Sequence, residues 1–358
     1  MQSSWGSRIN LSLFGESHGK AIGVVIQGLK PGIVLDLEAI EEELQRRMPG
    51  KNLFSTQRKE SDTPQILSGV FEGKTTGTAL SVMFYNEDNH SKDYRELKGA
   101  MRPGHADYPG YVRYQGYNDY RGGGHFSGRL TAPIVFAGAL AKQVLQQKGI
   151  RIGAHITQIG PVKDKKFDPL TVNSETFKCL KGKTFPVLNV EQEKLMADVI
   201  LSAREEGDSI GGKIECAIVG MPAGIGSPFF DSLESTLAHL AFSIPAVKGI
   251  SFGVGEDFAT LKGSEANDTY QFESDVVKTK TNHNGGITGG ISNGMPIVFE
   301  VVIKPTPSIS KPQATIDVLT KEEKVLVIQG RHDPCIVQRA VVVIEAIAAL
   351  AMLEHLDV

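Results

Sequence analysis

The sequence predicts an α+β fold built twice over around a pair of alanine-rich helices, and three observations carry that expectation. Strand-like apolar stretches alternate with amphipathic helical ones along the chain. Glycines recur in two series at matched spacing. Two helices rich in small residues each begin just after a Gly-Arg pair, Gly128-Arg129 and Gly330-Arg331.

In order, residues 8–14 and 22–29 read as strands joined by Gly15-Glu-Ser-His-Gly19. Asp36 caps an amphipathic helix with Leu37, Ile40 and Leu44 on one face, Arg46 and Arg47 in its last turn, and Pro49-Gly50 as its stop. A polar loop through Gln57-Arg58-Lys59-Glu60 leads to strands near 65–71 and 78–85. Residues 86–120 read as an irregular aromatic and charged stretch, a length of loop that in a compact chain is usually functional. A helix of about 131–148 follows, with Thr131 as N-cap, Pro133 in its first turn and Gly149 at its end. Then come a strand at 151–160, a lysine-rich surface insertion at 161–190 and a helix at 191–205. A strand at 296–303 and a buried helix at 335–355 close the chain.

Two stretches align without a gap. Gly15-Glu-Ser-His-Gly19 with Gly28, Gly32 and Ile33 matches Gly207-Asp-Ser-Ile-Gly211 with Gly220, Gly224 and Ile225. Both then enter a helix, the second capped by Asp231 with Glu234 three residues on. Gly73 and Gly77 before one strand match Gly290 and Gly294 before another. Glycines recur where backbone geometry recurs, so the halves, about 8–149 and 200–355, are expected to be duplicates about a pseudo-twofold axis with the alanine-rich helices at the centre.

Composition narrows the function. The 358 residues are 41% hydrophobic and 22% charged, the balance of a globular protein with a large core. A net charge of −3 offers no global field for nucleic acid or an acidic membrane, so anion affinity has to be local. Three cysteines, Cys179, Cys216 and Cys335, with no Cys-x-x-Cys pair argue for a reducing compartment and against a cysteine zinc site. The first residues lack a basic-then-apolar signal, and the expected location is cytoplasmic. The apolar run Ala340 to Leu353 carries Glu345 and is too short to span a bilayer.

Four stretches combine glycine with titratable groups: Gly15-Glu-Ser-His-Gly19, Arg102-Pro-Gly-His-Ala-Asp107, Arg121-Gly-Gly-Gly-His-Phe-Ser-Gly-Arg129 and Gly330-Arg-His-Asp-Pro-Cys335. A metal-dependent phosphohydrolase would use His18, His105, His125, His332, Asp107 and Asp333 as ligands. Against it, no His pair has helical spacing and arginines crowd the candidates, so no metal site is expected. An RNA-binding module suggested by Arg121-Gly-Gly-Gly is disfavoured by the acidic chain. The composition fits better an anion pocket, in which arginines hold phosphate and carboxylates while histidine and aspartate move protons.

With Asn282-His-Asn-Gly-Gly-Ile-Thr-Gly-Gly290 and Lys304-Pro-Thr-Pro-Ser308 in order and spacing, the chain resembles the chorismate synthase family over essentially its full length. The resemblance implies one domain over 1–358, a β-α-β sandwich with central helices between two antiparallel sheet layers. It also implies a homotetramer and a lyase that eliminates phosphate from 5-enolpyruvylshikimate 3-phosphate with reduced FMN. By motif, His18 protonates the departing phosphate, His105 governs protonation at the flavin edge, and Asp333 assists proton removal through the flavin N5. Arg47, Arg102, Arg129 and Arg331 hold the substrate anions. The flavin lies against His125, Phe126, Ser127, Ala246, Gly289, Lys304, Pro305, Thr306, Pro307, Ser308 and Arg331. The chain departs from the family's usual pattern at His125-Phe126-Ser127, at Pro245, and at Leu53, which stands where a second basic residue for an NADP contact is often found. Lacking a Gly-x-Gly-x-x-Gly unit as well, it is expected to draw reduced flavin from an external reductase or reductant.

Overall fold

The first half opens with a short strand, Ser4–Trp5 (β1), followed by Asn10–Gly15 (β2) and Ala21–Gln27 (β3). Ile22, Val24 and Ile26 alternate along β3 and are buried, as a strand with one face on a core requires. Helix α1, Leu37–Arg47, begins where Asp36 accepts a hydrogen bond from Ala39 N (3.0 Å) and buries Ile40 and Leu44. Gln65–Ser68 (β4), a hairpin of Val70–Phe71 (β5) and Lys74–Thr75 (β6), and Leu80–Tyr85 (β7) follow. Five of these strands form an antiparallel sheet in the order β1-β2-β3-β7-β4. Asp107–Arg113 (α2) and Thr131–Gln147 (α3) complete this half. The computed structural model describes residues 3–48, 62–86, 98–328 and 333–357. The expected Pro49-Gly50 stop, the loop through Arg58, Leu53, Gly330, Arg331 and His332 lie outside the described residues.

The second half starts with Arg151–Ile159 (β8) and Val162–Lys163 (β9), then Ser174–Lys181 (α4) and Val190–Glu205 (α5). Gly212–Val219 (β10), Leu233–Ser243 (α6), Val247–Phe252 (β11) and the short Gly263–Ala266 (α7) come next. Two hairpins, Tyr270–Glu273 with Val276–Thr279 (β12, β13) and Ile287–Thr288 with Ile291–Ser292 (β14, β15), precede Ile297–Ile303 (β16). A last hairpin, Gln313–Asp317 with Glu322–Leu326 (β17, β18), leads to Val337–His355 (α8). The second antiparallel sheet has the order β11-β16-β10-β8-β9.

The helices lie between the sheets: α3 rests on β3 and β7, α8 on β8 and β10, with α1 beside α3 and α6 beside α8. The central pair is held close by small residues. A Cβ on Gly138 would come within 2.3 Å of the Ala346 Cβ, so only glycine permits this approach. α8 is apolar on all sides and almost wholly buried, as a helix enclosed by the core must be. A charged knot ties α1, α3 and α8 together. Arg46 forks onto Glu345 (2.6 and 2.8 Å), and Lys142 reaches both Glu345 (2.5 Å) and Glu43 (2.9 Å).

One turn is built twice. Thr75 Oγ1 accepts from Ile33 N (2.9 Å) and donates to the Lys30 carbonyl (2.6 Å). Ser292 Oγ accepts from Ile225 N (3.0 Å) and donates to the Pro222 carbonyl (2.6 Å). Gly32 and Gly224 sit in these turns with φ of 86° and 90°, a region that a side chain disfavours.

Four expectations need correction. Thr131 is not the N-cap of α3; it is already in the helix, and its hydroxyl donates to the Gly128 carbonyl (2.6 Å). Ser232, not Asp231, caps α6, accepting from Ser235 N (3.1 Å). The stretch 161–190 is more than a surface insertion: Phe167, Val172, Phe177 and Leu180 bury against Ala217 and Val298 on the outer face of the second sheet. Within 86–120, the described part contains α2, whose Pro109 and Gly110 disguise it in the sequence.

Candidate active site

The turn between β2 and β3 carries Ser17 and His18. Asn86, at the end of β7, spans it by donating to the carbonyls of Glu16 and Gly19 (3.0 Å each). His18 Nδ1 lies 3.1 Å from Ser17 Oγ, whose hydroxyl reaches the Arg121 carbonyl (3.3 Å). The ring rests on the glycine-rich turn. A Cβ on Gly122, where φ is 64°, would sit 2.1 Å from His18 Cε1, so the glycine makes room for the imidazole.

The loop holding His105 is anchored by β17: Met101 N donates to the Ile316 carbonyl (3.1 Å) and Thr315 to the Met101 carbonyl. Arg102 then grips Asp107 through Nε and Nη2 (2.6 and 2.7 Å), and Asp107 Oδ1 stands 2.6 Å from His105 Nδ1. Burial alone would raise the Asp107 pKa, but hydrogen bonds from Arg102 and His105 hold it well below the usual carboxylate range. His105 Nε2 is left facing Gly123 of the glycine-rich turn.

Two arginines meet on Asp62. Arg47, at the end of α1, reaches its Oδ2 through Nε (2.9 Å) and Nη2, and Arg129 reaches Oδ1 through Nη1. Arg129 Nε also donates to Asn86 Oδ1 (3.1 Å). At the entry to α8, Asp333 pairs with Arg339, whose Nε donates to the Arg47 carbonyl (2.9 Å). Lys304, leaving β16, donates to the Gly104 carbonyl (2.5 Å). Partial burial and the neighbouring Lys248 ammonium lower its pKa.

His18, His105, Asp333, Arg47, Arg129, His125, Phe126, Ser127, Ala246, Lys304, Thr306, Pro307 and Ser308 all line one cavity of about 910 Å³. Some of these also have internal tasks. His125 donates from Nδ1 to the Gly15 carbonyl and meets Ser3 Oγ through Nε2 (2.8 Å each). Ser127 Oγ accepts from Arg129 N (3.2 Å). Three expected contacts are not among the lining residues. Arg102 is buried behind Asp107, Pro305 packs toward Gly211, and Gly289 lies exposed in the β14–β15 turn. Arg331 lies outside the described residues. Sequence reasoning missed Ser17, His239, Lys248 and Arg339, which also line the cavity, and the supporting Asp62 and Asn86. Ser17 was visible inside the Gly15–Gly19 motif; the others stand alone in the sequence with no spacing signal.

A helix layer between two antiparallel sheets, with arginine, lysine and histidine drawn from distant loops into one cavity, defines an enzyme that handles a multiply charged anion. A family profile described as chorismate synthase matches residues 9–356. The chain belongs to the chorismate synthase family, whose members are phosphate-eliminating lyases. It is 47% identical over 353 residues to the chorismate synthase of Thermococcus gammatolerans, covering 98% of this chain and 96% of the relative. It is 48% identical over 354 residues to that of Pyrococcus abyssi, with the same coverages. Identity to the Phocaeicola vulgatus enzyme is 43% over 356 residues, covering 99% and 98%. A crystal structure of chorismate synthase superposes with a TM-score of 0.75 at 27% identity, covering 98% of this chain and 92% of that one. These relatives give the phosphohydrolase alternative no support. Among the described residues, no group of three or more His, Cys, Asp or Glu is placed to hold a metal ion, and no helix is long and apolar enough to cross a membrane.

Proposed function

We propose that the cavity binds 5-enolpyruvylshikimate 3-phosphate and removes its phosphate by 1,4-elimination to give chorismate, with reduced FMN as cofactor and no net redox change. The observation that carries this reading is the meeting of His18, His105, Asp333, Arg47, Arg129 and Lys304 on one cavity of about 910 Å³. A substrate with one phosphate and two carboxylates needs several cations at once, and Arg47 and Arg129 are the guanidiniums that hold them. The C–O bond breaks with its electrons leaving on phosphate, which takes a proton from His18. The carbon-bound proton departs on the side of Asp333, whose carboxylate the Arg339 guanidinium holds in place.

The residues fit a flavin on two counts. Lys304 and Lys248 both line the cavity near enough to feel each other's charge, and two ammonium groups favour a phosphate ester. Elsewhere Leu11, Leu13, Ile134, Val343 and Ile347 line it with apolar surface suited to a tricyclic ring. When bound, a reduced flavin supplies electron density to an electron-poor allylic centre. His105 presents Nε2 on the Gly123 side, with Asp107 at Nδ1 fixing the ring from behind. Arg102 supports His105 through Asp107 rather than touching substrate, and Arg331 remains a candidate for the substrate anions.

The reading extends to a cytoplasmic homotetramer supplied with reduced flavin by an external reductase. Three free cysteines and the lack of a Gly-x-Gly-x-x-Gly unit support the compartment and the external supply. It also includes an internal duplication, supported by the twice-built turn and by four neighbouring strands in each sheet, β2-β3-β7-β4 and β8-β10-β16-β11, that follow one order. The test is an assay of phosphate and chorismate together in the presence of a chelator. Equal release of both, unaffected by the chelator, is expected; metal-dependent phosphate release without chorismate would contradict the reading.

A further inference from the structure

Asp62 is a carboxylate with no solvent exposure of its side chain, and each of its oxygens is taken by a different arginine. Burying a charge is costly unless it is paired, and two guanidiniums pair this one from either side. Burial would raise its pKa, but Arg47 and then Arg129 lower it, so the group stays ionised. The hydrogen bonds continue in both directions. Arg129 Nε leads to Asn86, which clasps the His18 turn, and the Arg47 carbonyl leads through Arg339 to Asp333. A connected path therefore runs from the His18 turn to Asp333, with Asp62 at its middle.

We propose that Asp62 is a positioning residue that sets the separation and tilt of the Arg47 and Arg129 guanidiniums for the substrate anions. The proposal rests on the elimination reading above. Without Asp62 the two cations remain near the cavity, so attraction for an anion survives, but their alignment with His18 and Asp333 does not.

The test compares the full-length wild type with Asp62→Asn and Asp62→Glu, using inorganic phosphate as the binding probe. For Asp62→Asn, kcat falls on the order of tenfold to a hundredfold, the range expected when reacting groups are misaligned, while KM stays level or falls. Phosphate raises the melting temperature of Asp62→Asn more than that of the wild type, because a ligand anion replaces the missing counter-charge. Asp62→Glu keeps the charge, so its phosphate-induced shift matches the wild type while its kcat is still reduced. Equal phosphate-induced shifts in wild type and Asp62→Asn overturn the proposal, as does an unchanged kcat in either variant. If Asp62→Asn does not fold, Asp62→Glu decides alone. A wild type that releases no phosphate from the substrate refutes the elimination reading, whereas the phosphate-shift comparison tests the clamp independently of turnover.

Discussion

His18 and His105 reach the cavity from different loops and for different reasons, which makes them separable by substitution. His18→Ala and His105→Ala are each expected to lower kcat by on the order of a hundredfold, the usual cost of losing a positioned proton-transfer group. Circular dichroism should find both variants folded, and normal turnover in either would remove its assigned role. Arg102→Gln discriminates a support from a substrate ligand. With its guanidinium committed to Asp107, the substitution should lower kcat through His105 and leave KM within about threefold. A large rise in KM with kcat intact would return Arg102 to the substrate. His18 and His105 were legible as cavity residues because they sit in glycine-bearing motifs. Asp62, Asn86 and Arg339 were not, because each is one polar residue in an ordinary setting, and their meaning arises only when distant segments are brought together.

Among the elements, α1, α3 and α8 are joined by Glu43, Arg46, Lys142 and Glu345 inside the helix layer. Burial would raise the Glu345 pKa from its ordinary 4.5, but Arg46 and Lys142 lower it, and Glu43 is lowered by Lys142 and Arg46 in the same way. Carboxyls depressed in the folded state bind more protons once unfolded, so stability rises with pH through this window. The contribution is complete above about 4.5 and is lost as the pH falls below it. Glu345→Gln leaves Arg46 and Lys142 to share Glu43, one carboxylate short of their charge, and should cost about 3–5 kcal/mol at neutral pH. Thermal unfolding followed from pH 7 down to pH 3 checks this: the variant should lose less stability on acidification than the wild type. Parallel curves would contradict it. Element boundaries were legible where a local signal was clean, as at Asp36 before α1. They slipped where signals compete, as at Asp231-Ser232, where both residues are good caps and only the backbone path selects Ser232. α2 was hidden by Pro109 and Gly110, and the packing of 161–190 by lysines that separate its apolar residues.

The whole molecule works by bringing distant loops to the rim of a rigid centre. That centre depends on the close approach of α3 and α8 at Gly138 and Ala346. Gly138→Val inserts branched carbon where no space exists, and should destabilise the fold by about 1–3 kcal/mol or more while weakening activity only through loss of folded protein. Denaturant unfolding measures the first, and specific activity per folded molecule the second; a normal midpoint would show that the helix contact is looser than it looks. The central pair of alanine-rich helices was legible from their small residues and the doubled glycine series, and the two sheet layers from the family resemblance. Which loops share a cavity was legible through the family resemblance; the contacts of Asp62, Asn86 and Arg339 were not, since they follow from how the layers stack. The most direct test of the central claim is an anaerobic assay with 5-enolpyruvylshikimate 3-phosphate and photoreduced FMN, without nicotinamide. Chorismate and phosphate should appear in equal amounts over many turnovers while the flavin stays reduced. Consumption of reduced flavin in step with product, or no product until a nicotinamide is added, would contradict the account.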